Sequence, residues 1–254
     1  MQDSPSASDS SGVTTTFFAP IDRIHGDRLS LPEDEAHHAA RVLRAREGDE
    51  VVVVDGEGGW YRVRLDHVDR RSAGGWILDR RREVGEPSYH LTLAVGLLKQ
   101  RARFELLLEK AAELGVSELV PIITAHTERE TVRPNRLRGK LIAAMKQCGR
   151  SRLVRLREPV AFSDYLDEAR ADLKLCCHEA MRASKGLVDA LRAAAEPSST
   201  SVLIGPEGGF SEEEVEQARS KGWKVVSLGP RRLRTETAAI AAAAAITLTY
   251  DHPS

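Results

Sequence analysis

The sequence predicts an α/β protein in two parts, a small β-rich barrel followed by a larger α/β domain. Three observations predict it. Up to about Val84 the chain runs in short alternating or apolar stretches separated by Gly-containing turns. A Gly-Glu-Pro joint follows at Gly85 to Pro87, and beyond it longer helical patterns alternate with apolar strands.

Residues 1–13 are Ser/Asp-rich with almost nothing apolar and are expected to form a disordered tail. Residues 14–85 are expected to form the barrel. They contain a helical stretch, "PEDEAHHAARVLRA", and the strand candidates "DEVVVVD", "WYRVRLDHV" and "GWILDRR". Residues 88–254 form the second domain. There "YHLTLAVGLL", "RFELLLEKAAELG" and "SELVPIIT" read as strand, helix and strand, with Phe104, Leu107, Leu108, Ala111 and Ala112 on one helical face before Gly115 ends it. Such a unit implies a parallel sheet with right-handed crossovers. A helix around Asn135 to Cys148, a strand "LKLCCHE", a helix "SKGLVDALRAA" and a strand "SVLIG" follow. After them come a helix "SEEEVEQARSKG", a strand "KVVSLG" and a last helix from about Thr235.

A length of 254 residues with 41% hydrophobic and 30% charged content is enough for one or two real cores. No apolar run reaches the ~20 residues that span a bilayer, and no secretory pattern opens the chain, so a cytoplasmic protein with no membrane partner is expected. Cys148, Cys176 and Cys177 lack metal-ligand spacing; reduced thiols and no metal are expected. The net charge is only −1, yet Arg129 to Arg157 holds ten Lys or Arg against one acid. That stretch reads either as a polyanion-binding surface or as a solvated face.

Two strand-loop-helix segments carry the chemistry. In "IGPEGGFSEEEVEQA", Gly205 ends a strand, where open α/β sheets place ligand crevices. Ser211 and Glu214 form a capping box, and the neighbouring glutamates suit a helix N-terminus. The acids and the missing lysine exclude a P-loop, and no G-x-G-x-x-G occurs. The loop therefore suits a neutral or cationic ligand around Glu207, or is a tight structural turn. In "LGPRRLRTETAAIAAAAAITLTY", Gly229 again breaks the chain after a strand, and Thr235 or Thr237 is placed to cap a helix of alanines. Such a thin helix fits a packed core or a subunit junction equally.

"LIGPEGGFSEEEVEQA" followed by "LGPRRLRTETAAIAA" resembles the paired C-terminal motifs of the bacterial 16S rRNA uridine-N3 methyltransferases of the SPOUT superfamily. "RFELLLEKAAELGVSELVPIIT" resembles that family's earlier helix and strand, and "HHAARVLRAREGDEVVVVDGEG" its N-terminal PUA-like RNA-binding domain. Lys146, in "MKQCGRS", stands where the family usually has an acid. The resemblance implies a SPOUT-type trefoil-knotted methyltransferase domain, a PUA-like β-barrel, a homodimer and S-adenosylmethionine as cofactor. It implies cofactor contacts from Ile204, Gly205, Pro206, Glu207, Gly208, Gly209, Leu228, Gly229, Leu233, Arg234, Thr235 and Thr237. Arg234 is expected to stabilise the developing uracil anion, and Glu236 to act as base or to orient Arg234. 16S rRNA in the small ribosomal subunit is the expected partner, contacted by His37, Arg41, Arg44, Lys99, Arg129, Arg133, Arg136, Arg138, Arg150 and Arg152. His37, Arg41 and Arg44 would share a helical face. A related enzyme acting on tRNA or another rRNA site, and a noncatalytic RNA-binding protein, are the alternatives.

Overall fold

A computed structural model describes residues 15–128, 134–178 and 186–251, so the expected N-terminal tail lies outside the described residues. Chain contacts divide it into two compact units. One holds the residues up to Asp55 together with Gly59–Arg82; the other holds Gly56–Gly58 and Glu83 onward.

The first unit is a curled, half-barrel sheet. Its strands are β1 (Thr16–Phe18), β2 (Ile24–His25), β3 (Arg28–Ser30), β4 (Glu50–Val54), β5 (Gly59–Val68) and β6 (Ala73–Arg82), in the order β1-β4-β5-β6-β3-β2. The period-2 pattern of "WYRVRLDHV" is realised on β5, where Tyr61, Val63 and Leu65 are buried and Arg62 and Arg64 exposed. These side chains meet Phe17, Leu29, Val51 and Val53 in one core, which α1 (Glu33–His38) covers through Ala36. The helix predicted over "PEDEAHHAARVLRA" does not stay regular: from Ala39 to Leu43 it widens into a π-helical turn, and Arg44 leaves it at φ +55°.

In the second unit β7 (His90–Gly96), α2 (Arg101–Glu113) and β8 (Glu118–Ile123) form the predicted β-α-β unit. The chain continues through α3 (Pro134–Cys148), the short β9 (Arg155–Leu156) and β10 (Val160–Ala161), α4 (Phe162–Glu168) and β11 (Leu173–Cys177). It ends through α5 (Leu187–Arg192), β12 (Ser199–Ile204), α6 (Glu212–Ser220), β13 (Lys224–Val226) and α7 (Thr235–Tyr250). The strands are all parallel, in the order β10-β8-β7-β12-β11-β13, with β9 beside β8. Helices cover both faces, as a doubly buried parallel sheet requires. α2, α3, α5 and α7 pack on one core and α4 and α6 on another.

The apolar face predicted for α2 is the one buried, and Gly115, at φ +75°, follows the helix end. The alanines of α7 serve the core: Ala239, Ala242, Ala243 and Ile246 are completely buried. α4, β9 and β10 were not foreseen.

Candidate functional site

β11, β12 and β13 lie side by side and parallel, so their carboxyl ends open on one edge of the sheet. There the loops that follow β12 and β13, together with Cys177 and His178, enclose a cavity of about 410 Å³. That volume is ordinary for a small-molecule site. Ile204, Phe210, Leu228 and Leu233 give it apolar walls, and Glu207, Arg231, Arg232 and Arg234 bring charge.

The loop after β12 is held by close backbone packing. Gly209 donates to the Pro206 carbonyl at 2.9 Å, closing a turn. A Cβ on Gly205 would come within 3.0 Å of the Gly209 backbone, so a side chain there would push the two limbs of the turn apart. Gly209 has φ +73° and nothing within 4 Å of where its Cβ would stand, so a larger residue would be both strained and directed into open space.

The capping box is present: Glu214 N donates to Ser211 Oγ at 3.2 Å, and Ser211 N donates to Glu214 Oε2 at 2.9 Å. The same carboxylate reaches further, since Oε1 accepts from Ala125 N at 2.9 Å. His126, next along, donates from Nδ1 to the Gly209 carbonyl at 3.2 Å. Glu214 thus starts α6 and also holds the turn after β8 against the glycine loop. Lys99, expected at RNA, pairs with Glu128 of that turn at 2.6 Å. Its pKa is raised by Glu128 first, with the charge of Glu207 adding to the effect.

The loop after β13 turns on Gly229, whose N–H donates to Ser227 Oγ at 3.1 Å. Neither threonine caps α7. The N-cap is Arg234, without a side-chain cap bond, and Thr235 is already the buried first residue of the helix. Thr235 is buried and lines the cavity. Of the residues expected at the cofactor, all line the cavity except Thr237, which is exposed on α7. Arg234 is exposed at the cavity; Glu236 is buried at 6% exposure and faces α2 instead, its Oε1 3.6 Å from Arg103 Nε. Cys177, His178, Phe210, Arg231, Arg232 and Ala238 also line the cavity. The strand pattern of "LKLCCHE" did hold a signal for the first two, because strands of a parallel sheet end at the crevice.

The RNA candidates divide. His37, Arg41 and Arg44 are exposed, but the π-helical turn and the left-handed Arg44 end their shared helical face. Arg138 is exposed, and Arg136 is exposed with its Nε 3.3 Å from Glu105 Oε1. Arg152 makes a fork with Glu83, two bonds of 2.6 Å. Arg150 is interior at 4% exposure: Nε and Nη2 donate to Glu86, and Nη1 to the carbonyls of Ala112 and Val116. Those carbonyls belong to the last turn of α2 and to the turn that follows it, so Arg150 fastens the fold rather than facing a ligand. Arg129 and Arg133 lie outside the described residues.

Two family models match the chain, an RNA methyltransferase domain over residues 85–247 and an RNA methyltransferase PUA domain over residues 31–73. The Aquifex aeolicus protein named ribosomal RNA small subunit methyltransferase E is 31% identical, over 85% of this chain and 92% of its own. The protein of that name from Neisseria gonorrhoeae, solved bound to S-adenosyl methionine, superposes with a TM-score of 0.83 at 29% identity, covering 93% of this chain and 98% of its own. A Legionella pneumophila methyltransferase solved in complex with the same cofactor gives a TM-score of 0.81 at 31% identity, covering 92% and 97%. The chain belongs to the RNA methyltransferase family represented by the ribosomal RNA small subunit methyltransferase E proteins.

Proposed function

We propose that this chain is an S-adenosylmethionine-dependent methyltransferase of small-subunit ribosomal RNA, and that it methylates N3 of a uridine in 16S rRNA. The observation that carries the reading is the single cavity formed by both motif loops at the carboxyl edge of the sheet. Its residues fit the cofactor. The glycine loop offers backbone groups and open space at Gly209, and Glu207 is the only carboxylate among the lining residues. Ile204, Gly205, Leu228 and Leu233 would hold adenine and ribose, and Glu207 suits a cationic centre.

When bound, the cofactor supplies an activated methyl on a sulfonium. The chain then has to orient uracil, stabilise its anion and receive a proton. Arg234, exposed at the cavity, is placed to donate to a uracil carbonyl oxygen as charge develops there. Glu207 takes the N3 proton directly or through one water. Glu236, turned toward Arg103, fixes the start of α7 and hence the position of Arg234. The basic side chains Lys99, Arg136, Arg138 and Arg152 would meet RNA phosphates, as would Arg129 and Arg133. His37, Arg41 and Arg44 would add contacts from the first unit.

This reading carries the knotted topology and homodimer of the resemblance, with Leu248 of α7, 83% exposed, available to a second subunit. It also places the protein in the cytoplasm with its substrate. Mass spectrometry of 16S rRNA from a strain lacking the gene tests it. Loss of 3-methyluridine is expected, restored by the intact gene; retention would overturn the N3 assignment.

A further inference from the structure

Outside the cavity, an unbalanced group of charges lies where α2 and α3 begin. Three cations converge on one carboxylate. Arg101 Nε lies 3.2 Å from Glu105 Oε1, Arg136 Nε 3.3 Å from the same oxygen, and Lys140 Nζ 3.9 Å from Oε2. Glu105 is largely buried, its side chain 15% exposed, whereas Arg136 and Lys140 keep more than half of theirs exposed. One acid cannot neutralise three bases. Two positive charges remain, and those two solvent-facing side chains have no other ion-pair partner among the described residues.

The backbone adds charge of the same sign. The first turns of α2 and α3 share Glu105 as their common partner, and at the far ends Cys148 Sγ of α3 approaches the Ala112 carbonyl of α2 at 3.8 Å. The two helices therefore run parallel, with their amino ends together. Neither has an acid in its first turn, although acids are the usual occupants there. Arg101 Nη2 is buried without a hydrogen-bond partner among the described residues, a donor with capacity left.

Arg103, on another face of α2, reaches Glu236 at the start of α7 instead. We propose that Arg101, Arg136 and Lys140 form a phosphate subsite that grips the backbone of the RNA substrate, with Glu105 offsetting part of their charge. This rests on the RNA methyltransferase reading and adds to it a defined anchor for one phosphodiester. Arginine forks and a lysine ammonium suit phosphate oxygens, and parallel helix starts favour an anion between them.

The test compares full-length wild type with Lys140→Gln, Arg101→Gln and Glu105→Gln. Binding to transcribed 16S rRNA is measured across a salt series, and binding of S-adenosylmethionine by calorimetry. Lys140→Gln is expected to weaken RNA binding roughly tenfold and to flatten its logarithmic salt dependence by about one unit, the amount for one lost phosphate contact. Glu105→Gln is expected to tighten RNA binding, the reverse of what a purely structural acid would do. Cofactor affinity should stay unchanged throughout. If Arg101→Gln fails to fold, the exposed Lys140 still decides the matter. Equal salt slopes for wild type and Lys140→Gln, or weaker RNA binding by a folded Glu105→Gln protein, would overturn the subsite. A wild-type protein that binds the cofactor but neither binds nor methylates 16S rRNA would instead sink the functional reading beneath it.

Discussion

At the scale of single residues, Gly209 makes the sharpest demand. Its φ of +73° costs a β-branched residue roughly 1–3 kcal/mol, and the added side chain would project into the open space beside the loop. Gly209→Val is therefore expected to weaken S-adenosylmethionine binding by more than about tenfold, or 1.4 kcal/mol, while the protein keeps its native circular dichroism. Titration calorimetry checks this, and unchanged affinity would mean that the ligand lies elsewhere. The loop itself was legible in "GPEGG", since glycines and proline after an apolar run mark a strand end. The second task of Glu214 was not. A capping box is a local pattern, but the bond to Ala125 joins residues far apart in sequence, and no spacing rule announces that. The burial of Glu236 was hidden for a related reason. Its direction depends on which side of α7 meets α2, and an alanine-rich helix gives no clear apolar stripe from which to read it.

Among the elements, the junction of α2 with the segment before Ser151 is the most tightly tied. Glu86 receives Arg150 on one oxygen, and on the other the backbone N–H groups of Ser151 and Arg152 at 2.9 and 2.7 Å. Both charged partners are nearly inaccessible, with 4% and 5% side-chain exposure. Removing one leaves the other buried and unpaired, so Arg150→Ala is expected to cost roughly 3–5 kcal/mol in urea unfolding. Arg150→Lys should rescue little, because an ammonium cannot span Glu86 and two carbonyls at once. A stable Arg150→Ala protein that had lost only RNA affinity would restore the role first expected for this arginine. Long elements with strong periodicity, α2 above all, were legible in the sequence. α4 has seven residues, and β9 and β10 two each. Such pieces are fixed by neighbours rather than by their own pattern, as is the π-helical turn after α1.

For the whole molecule, a ligand that binds only the folded chain stabilises it by mass action. At a hundred times its dissociation constant S-adenosylmethionine should add about 2.7 kcal/mol and raise the melting temperature by roughly 5–10 °C. Differential scanning calorimetry with and without the cofactor measures this; an unshifted transition would contradict the site. The α/β class was legible from alternating strand and helix patterns, but the lateral order of the strands was not. Hydrophobic runs record that a strand is buried, not which neighbour it pairs with. Here β12 takes the central place, with β7 on one side and β11 on the other, so that Val95 pairs with Ile204, about 110 residues later in the chain. β8, by contrast, meets β7 soon after it is made. During synthesis the nascent chain therefore carries an open, apolar strand edge until almost all of it has emerged. Folding is bound to be slow by the measure of contact order, and the growing polypeptide is a natural client for chaperones that shield such edges.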